Sequence, residues 1–241
     1  MATPGTGSAP DRALERLGQI RLTDHSMRSL LGEVAALLKQ SLPSGPEASV
    51  TLLTGDRPTT AVSTGEPALS LDEVQYGAGD GPCLQAAREG VVVQIVDNRT
   101  DDRWPDYVPA AVERGCLSSL SLPLPLHEAV SGGVNLYARE ADAFDAASRD
   151  FAQRFTTYAA VVAGNMLVYE SALDRARNLE AAIASRAVID QAKGILMERF
   201  KLTPDQAFQA LSRVSMETNT KVREVAARFV ETGELSQVRP R

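Results

Sequence analysis

The side chains that most often carry chemistry are scarce in this sequence. It contains two cysteines, Cys83 and Cys116, and two histidines, His25 and His127, which lie far apart along the chain. A zinc site needs three or four such ligands close together, so the sequence predicts no metal centre. General acid–base catalysis also has little to build on, because neither histidine has an evident partner carboxylate.

Familiar catalytic loops are also missing. The glycine-rich stretch GAGDG, residues 77–81, lacks the Gly-Lys-Ser/Thr of a phosphate-binding loop, and we interpret it as a turn. No serine stands in a G-x-S-x-G nucleophile elbow. Residues 40–192 contain no lysine, which a phosphorylated receiver domain would need. The sequence therefore predicts a protein that is not an enzyme and holds no cofactor beyond an unidentified small-molecule ligand.

Charge is distributed unevenly along the 241 residues. Residues 174–241 contain 12 Lys and Arg against 9 Asp and Glu, whereas the preceding residues contain 13 against 22, which together give the net charge of −6. The C-terminal part is therefore net positive in an acidic protein. This asymmetry indicates an anionic partner for the C-terminal part.

Three short amphipathic helices are predicted in that part. The first covers 185–200, and the third begins near Thr220 and ends at Gly233. The second has a clear start, because Thr203 and Gln206 have the spacing of a capping box and Pro204 occupies the first helical position. Apolar residues at steps of three and four, including Ile195, Phe200, Phe208 and Phe229, are predicted to face a shared core, and Phe200 is expected to be the most exposed of the three phenylalanines.

The segment SRAVIDQAKGILMERFKLTPDQAFQALSRVSMETNTKVREVAARFV, residues 185–230, resembles an ANTAR domain, the RNA-binding module of transcription antiterminators. The resemblance implies a dimer that binds paired RNA hairpins and so prevents a terminator from forming. Lys193 lies at a basic position of the motif. Ala192 and Gly194 match small positions, interpreted as room for a neighbouring helix. Because RNA loops are bound through phosphate contacts and base stacking, the RNA-binding candidates are Arg186, Lys193, Arg199, Lys201, Arg213, Lys221 and Arg223.

Two other functions remain open for this part. Three short helices on a basic unit also describe a DNA-binding helix-turn-helix, although METNTK is a longer connection than the tight turn of that motif. A sensor that binds only proteins is the other alternative.

The N-terminal part predicts an α+β fold, with a helix over 12–40 and an antiparallel sheet flanked by helices. Strand-like segments cover 48–55, 58–65, 91–97, 117–126 and 131–139, the last two joined by a turn around His127–Val130. Residues 71–90 are interpreted as a loop leading into a short helix, and another short helix precedes Cys116.

YGAGDGPCLQAAREGVVVQIVDNRTDDRWPDYVPAAVERGCLSSLSLPLPL (76–126), with GGVNLYA (132–138), resembles a GAF domain of the kind found with ANTAR domains in actinobacterial regulators. The resemblance implies a small-molecule sensor with a pocket between the sheet and short helices. The alternatives for its aromatic and thiol residues are ordinary core packing and a redox switch formed by the two cysteines. The pocket candidates are Tyr76, Cys83, Trp104, Tyr107 and Cys116.

Residues 146–184 are predicted to form a connecting helix. Apolar residues at steps of four and three form a seam with one polar member, Asn165, and such a seam favours a coiled coil and a homodimer. The alternative is a helix that packs on its own domain. The seam consists of Phe151, Phe155, Tyr158, Val162, Asn165, Tyr169, Ala172, Ala176, Leu179 and Ile183.

The predicted organisation is a disordered tail (1–11), a GAF-like sensor domain (12–145), the connecting helix (146–184) and an ANTAR-like RNA-binding domain (185–235). The N-terminus MATPGTGSAP lacks a basic start and an apolar run, and no stretch is long enough to span a bilayer. We therefore expect a cytoplasmic protein without membrane contact.

Overall fold

A computed structural model describes residues 8–126 and 130–235, which divide into two compact units between Glu170 and Ser171. The first unit contains α1 (Ala9–Gly18), α2 (Met27–Ser41), β1 (Glu47–Thr54), β2 (Arg57–Ser63), α3 (Glu66–Ala78), α4 (Pro82–Glu89), β3 (Val93–Ile95), α5 (Val108–Glu113), β4 (Ser118–Pro123) and β5 (Val130–Ala138). Helix α6 (Ala146–Phe200) begins in the first unit and ends in the second, which also contains α7 (Pro204–Thr218) and α8 (Val222–Thr232).

The five strands form one antiparallel sheet in the order β2-β1-β5-β4-β3. This confirms the predicted α+β fold and its strands, although β3 is shorter than the predicted 91–97. Residues 127–129, which include His127 of the predicted turn, lie outside the described residues. Every helix within 8–126 and 130–235 is too short or too polar to cross a membrane.

The predicted helix over 12–40 is two helices. α1 begins at Ala9, inside the predicted tail of 1–11, because Ser8 and Asp11 form a capping box; residues 1–7 lie outside the described residues. A second capping box, between Ser26 and Ser29, starts α2. Side chains that compete for backbone hydrogen bonds thus divide an otherwise regular apolar pattern.

The predicted loop at 71–78 is also wrong. These residues belong to α3, which ends at Gly79 in a left-handed conformation (φ 73°). The glycine-rich stretch that follows hid the helix in the sequence, because glycine is common both in loops and directly after helices. The correction matters because α3 covers the sheet.

One face of the sheet packs on α1, α2 and the first part of α6 through a large aliphatic core, in which Phe151 and Phe155 are buried. The other face lies against α3, α4 and α5. Helices on both faces bury the inner strands, so polar residues such as Ser49, Thr51 and Asn135 cannot reach water, whereas β2 at the edge stays partly exposed.

The second unit has a small core of its own, which includes Ala192, Leu211 and Phe229. The predicted capping box at Thr203 and Gln206 is confirmed. The predicted first helix, 185–200, is not separate, since it continues α6. Only residues 219–221 lie between α7 and α8, so the connection is short after all, and its length is no argument against a helix-turn-helix.

Gly132 allows β1 and β5 to approach closely. A Cβ atom placed on Gly132 would lie 2.6 Å from the backbone oxygen of Thr51, which cannot move without separating the strands. We therefore expect Gly132→Ala to lower the free energy of unfolding by about 1–3 kcal/mol, measured by urea denaturation. Gly32→Ala in α2, where nothing lies within 4 Å of the added carbon, is the control. Equal stability of the two variants would contradict this packing.

Candidate functional site

The face of the sheet beneath α3, α4 and α5 is polar yet fully buried. Ser49, Asn135 and Ser121 are paired across three neighbouring strands, so their side chains point to the same face. Each is inaccessible to solvent, as are Thr51 and Ser119. Burying a polar group is unfavourable unless it is hydrogen-bonded, and a purely structural sheet would place aliphatic residues here.

Asp72 on α3 organises this polar face. Its Oδ1 accepts hydrogen bonds from Ser49 (3.0 Å), Asn135 (3.3 Å) and the Tyr137 hydroxyl, and its Oδ2 accepts one from Thr60 (2.8 Å). No ion pair within the described residues includes Asp72. Burial raises its pKa to about 6, and the four hydrogen bonds oppose that rise.

Two neighbours on the same face of α3 extend the network. Gln75 accepts a hydrogen bond from the Cys83 backbone N–H (2.8 Å) and donates one to the Tyr137 hydroxyl (3.1 Å). The Tyr76 hydroxyl lies 2.8 Å from Oγ1 of Thr51. The i, i+3, i+4 spacing of Asp72, Gln75 and Tyr76 therefore puts three polar side chains on the sheet.

All five predicted pocket residues lie on this side of the sheet, Tyr76 on α3 and Cys83 on α4. Tyr76 and Cys83 join the polar network, whereas Trp104, Tyr107 and Cys116 lie in an apolar cluster beside it. Sequence reasoning missed the polar members. Their signal is an alternation of small polar and aliphatic residues, as in SVTLL and GGVNLY, which usually indicates a solvent-exposed face.

The two cysteines are free and buried. Burial raises the pKa of the Cys83 thiol well above its usual value and that of Cys116 to about 12. Because the thiolate is the reactive form, both thiols are poorly suited to a redox switch.

The seven predicted RNA-binding residues are spread over the surface of the second unit. Arg186 and Lys193 both contact Asp190, at 3.8 and 3.4 Å. Arg199 donates a hydrogen bond to the Gly233 carbonyl and stacks on Phe200. The remaining four are exposed; Lys201 pairs with Glu198 and Arg223 with Glu224, and neither Arg213 nor Lys221 is in an ion pair within the described chain.

Comparison with known families decides what these two units are. The model of the GAF domain family matches residues 24–162, more than half of the sequence. The chain belongs to the GAF domain family. The ANTAR domain model matches residues 177–230, so a C-terminal ANTAR domain follows. The chain thus combines a sensor domain with an RNA-binding domain of the antitermination type. None of the curated proteins compared matches the chain.

Solved structures resemble the GAF domain in fold. A phycoerythrobilin-bound GAF domain from a cyanobacterial phytochrome is 13% identical with a TM-score of 0.52, covering 66% of this chain and 96% of its own. Free methionine-R-sulfoxide reductase from Neisseria meningitidis, in complex with its substrate, is 17% identical with a TM-score of 0.50, covering 69% and 98%. At these identities the likeness shows the fold alone.

The ANTAR domain has exposed apolar side chains on helix faces that are predicted to face its core. Phe229 is buried as predicted, and Phe200, expected to be the most exposed of the three phenylalanines, is 54% exposed. The predicted burial of Phe208 and Ile195 is wrong, since Phe208 is 45% exposed and Ile195 is also exposed. The core is small and is filled by Ala192, Leu196, Ala207 and Leu211. Two aromatic rings are therefore exposed on the surface of this domain.

Gly194 was interpreted as leaving room for a neighbouring helix. For the helices described in this chain, that interpretation is wrong. Gly194 is exposed, and a Cβ atom added there would meet nothing within 4 Å. Ala192, by contrast, is fully buried in the core of the domain. A glycine in an exposed helix interior costs about 1 kcal/mol relative to alanine, and no contact among the described residues explains it.

The predicted seam on α6 contains both buried and exposed residues. Phe151 and Phe155 are buried in the GAF domain, and Val162 and Tyr169 pack partly against the same core. Other residues of this part of α6 are exposed, and one exposed face includes two valines that the predicted seam omitted. This exposed face consists of Tyr158, Val161, Asn165 and Val168.

Asp72 should make the stability of the protein depend on pH. Its pKa is raised in the folded state, so its favourable contribution is complete below its ordinary pKa of 3.8 and is lost as the pH rises through about 6. We expect wild type to lose about 2–3 kcal/mol relative to Asp72→Asn between pH 4 and pH 7. Urea unfolding of both proteins at several pH values measures this, and a difference that does not change with pH would contradict it.

Proposed function

We propose that the protein is a signal-responsive transcription antitermination regulator. The ANTAR domain binds RNA hairpins, and the GAF domain controls that binding in response to a small molecule. The observation that carries the proposal is an ANTAR surface with both exposed cations and exposed aromatic rings, on a chain whose sensor domain has a buried polar sheet face. Such a regulator acts in the cytoplasm, where transcripts are made.

Cations and aromatic rings have separate roles in RNA recognition. Arginine and lysine neutralise phosphates, which supplies salt-dependent affinity, whereas unpaired bases in a loop stack on aromatic side chains. Arg213 and Arg186 are candidates for the first role, and Phe200 and Phe208 for the second. Exposed Gly194 would allow the RNA or a second protein chain to approach the helix backbone closely.

Removing one exposed arginine tests the RNA contact. We expect Arg213→Gln to weaken binding to a pool of RNA hairpins with randomised loops and to reduce the slope of log affinity against log salt by about 1. Arg57→Gln removes the same charge from exposed β2 and should change neither quantity. Fluorescence anisotropy at several salt concentrations measures both.

The same assay separates the alternatives. Hairpin RNA should compete better than duplex DNA of matching sequence. Equal competition by duplex DNA would favour a DNA-binding regulator, which the short connection between α7 and α8 permits. Binding of neither nucleic acid would favour a sensor that acts through proteins alone.

We propose that a second copy of the chain packs on the exposed face of α6. The residues of this exposed face follow the spacing of three and four that is typical of paired helices. A groove of ≈ 560 Å³, lined by Val161, Val168 and residues of the β4 end such as Leu126, adjoins this face. Leu179 and Ile183, further along α6 and within the predicted 146–184 interface, are exposed as well. A ligand in the GAF domain would then shift the population of helix pairings that present the ANTAR domains.

A charge on this face should disrupt the homodimer. We expect Val161→Asp to give a monomer in sedimentation equilibrium and to weaken hairpin binding, because a buried carboxylate in a helix interface has no counter-charge. Val96→Asp changes a similarly exposed valine of the GAF domain and should leave the dimer intact. A wild-type monomer, or a Val161→Asp dimer of unchanged affinity, would exclude this interface.

A further inference from the structure

Within the second unit, one face of α6 is largely apolar, exposed and regularly spaced. Leu179 and Ile183 on this face are 63% and 61% exposed, although both are large aliphatic side chains. Its other members are mostly small, and every member is exposed. We call this face the α6 stripe; its residues follow one another at steps of four, three and four, and they are Ala172, Ala176, Leu179, Ile183, Ala187, Asp190 and Gly194.

The α6 stripe has a period of eleven residues, unlike the heptad seam predicted from the sequence. Ala172, Ile183 and Gly194 are each eleven residues apart. Eleven residues complete three turns at about 3.67 residues per turn, which is close to an ordinary α-helix, whereas a heptad repeat drifts by about 20° per heptad. Paired helices that share this period form a right-handed supercoil rather than the left-handed coil of heptads. Val161 of the proposed dimer face lies eleven residues before Ala172 and so follows the same period.

The two sides of the stripe carry opposite charges. Because each residue advances the helix by about 100°, Arg175 and Glu180 lie about 70° to either side of the stripe and face away from each other. Both are exposed, and neither is in an ion pair within the described residues. The charge of Asp190 in the stripe itself is balanced by Arg186 and Lys193, at 3.8 and 3.4 Å. The unpaired charges therefore flank an apolar surface.

Parallel pairing of two copies would join these unpaired charges. In a parallel pair, the left side of one helix lies next to the right side of the other. This arrangement brings position g of one helix to position e of the next repeat in its partner, five residues further along the chain. Arg175 is five residues before Glu180, so the pair would form twice in each dimer. Antiparallel pairing would instead place like-charged sides against each other.

We propose that a second copy of the chain packs in parallel on the α6 stripe, and that ion pairs between Arg175 of one copy and Glu180 of the other set this direction. The inference rests on the proposed homodimer and names the residues that decide its partner and orientation. The small residues of the stripe let the two helices approach closely, and exposed Gly194 gains a contact there. Parallel pairing also places both RNA-binding domains at one end of the dimer.

Exchanging the charges tests the partner and the direction together. We expect Arg175→Glu and Glu180→Arg each to weaken the full-length homodimer roughly tenfold in Kd, because each puts like charges together twice across the interface. The double variant should regain the wild-type Kd, and a mixture of the two single variants should form heterodimers in preference to homodimers. Arg177→Glu makes the same charge change on the far side of α6 and should leave the Kd unchanged. Sedimentation equilibrium measures each Kd, and a double variant as weak as the single ones would overturn the proposal.

Engineered cysteines test the register. Ala172→Cys and Ile183→Cys should each give a disulfide-linked dimer under mild oxidation, since like positions face each other in a parallel pair. Asn178→Cys, which is exposed on the far side of α6, should not. The native thiols are buried and should stay unlinked.

Other occupants of the stripe give different results. Antiparallel copies would cross-link at no more than one of the two positions, which are about 16 Å apart along the helix, and this would overturn the proposal. A wild-type monomer, as expected if an unrelated protein covers the stripe, would overturn it too. Hairpin affinity is measured separately, so a parallel dimer that binds no RNA contradicts the proposed antitermination function and supports the pairing.

Discussion

The hydrogen bond from the Asn135 amide to the Asp72 carboxylate connects the sheet to the helices that cover it. Asn135 lies on β5, the central strand of the sheet, and Asp72 on α3, so this contact joins layers that are far apart in sequence. It fixes the direction of the amide and, with Ser49, Thr60 and the Tyr137 hydroxyl, satisfies a buried carboxylate that has no counter-charge. An apolar core would stabilise the fold with less difficulty, so the cost of this network is best explained by the binding of a ligand.

The two faces of the sheet divide structural and functional roles. Aliphatic residues on one face hold α1, α2 and the start of α6, which gives the GAF domain its stability. The polar face is where we propose that a ligand binds. Because α6 uses one side to pack on the aliphatic face, its opposite side, with Tyr158, Val161 and Val168, remains exposed along a helix that continues into the ANTAR domain. A single helix therefore belongs to the sensor core and to the RNA-binding unit.

Local sequence patterns correctly predicted those features of the fold that depend on interactions between residues close together in the chain. The strands, the capping box at Thr203 and the buried face of α8 follow from alternation, side-chain capping and helical spacing. The role of Asp72 could not be predicted, since it depends on pairing β1 with β5, more than 80 residues away, and on α3 lying over both. Phe208 and Ile195 have helical spacing that suits a core, yet the small core of the ANTAR domain is filled without them. Spacing alone does not show how much volume a core can hold.

A crystal structure of the full-length protein, at a resolution that shows ordered water, tests the central claim that the polar sheet face is a ligand site. The account predicts electron density for a bound small molecule within hydrogen-bond distance, about 2.7–3.2 Å, of Asn135 Oδ1 and the Ser121 hydroxyl, which have no hydrogen-bond partner among the described residues. A structure in which these two groups bond only to protein atoms or to ordered water would contradict it, because no ligand would then be needed to satisfy them.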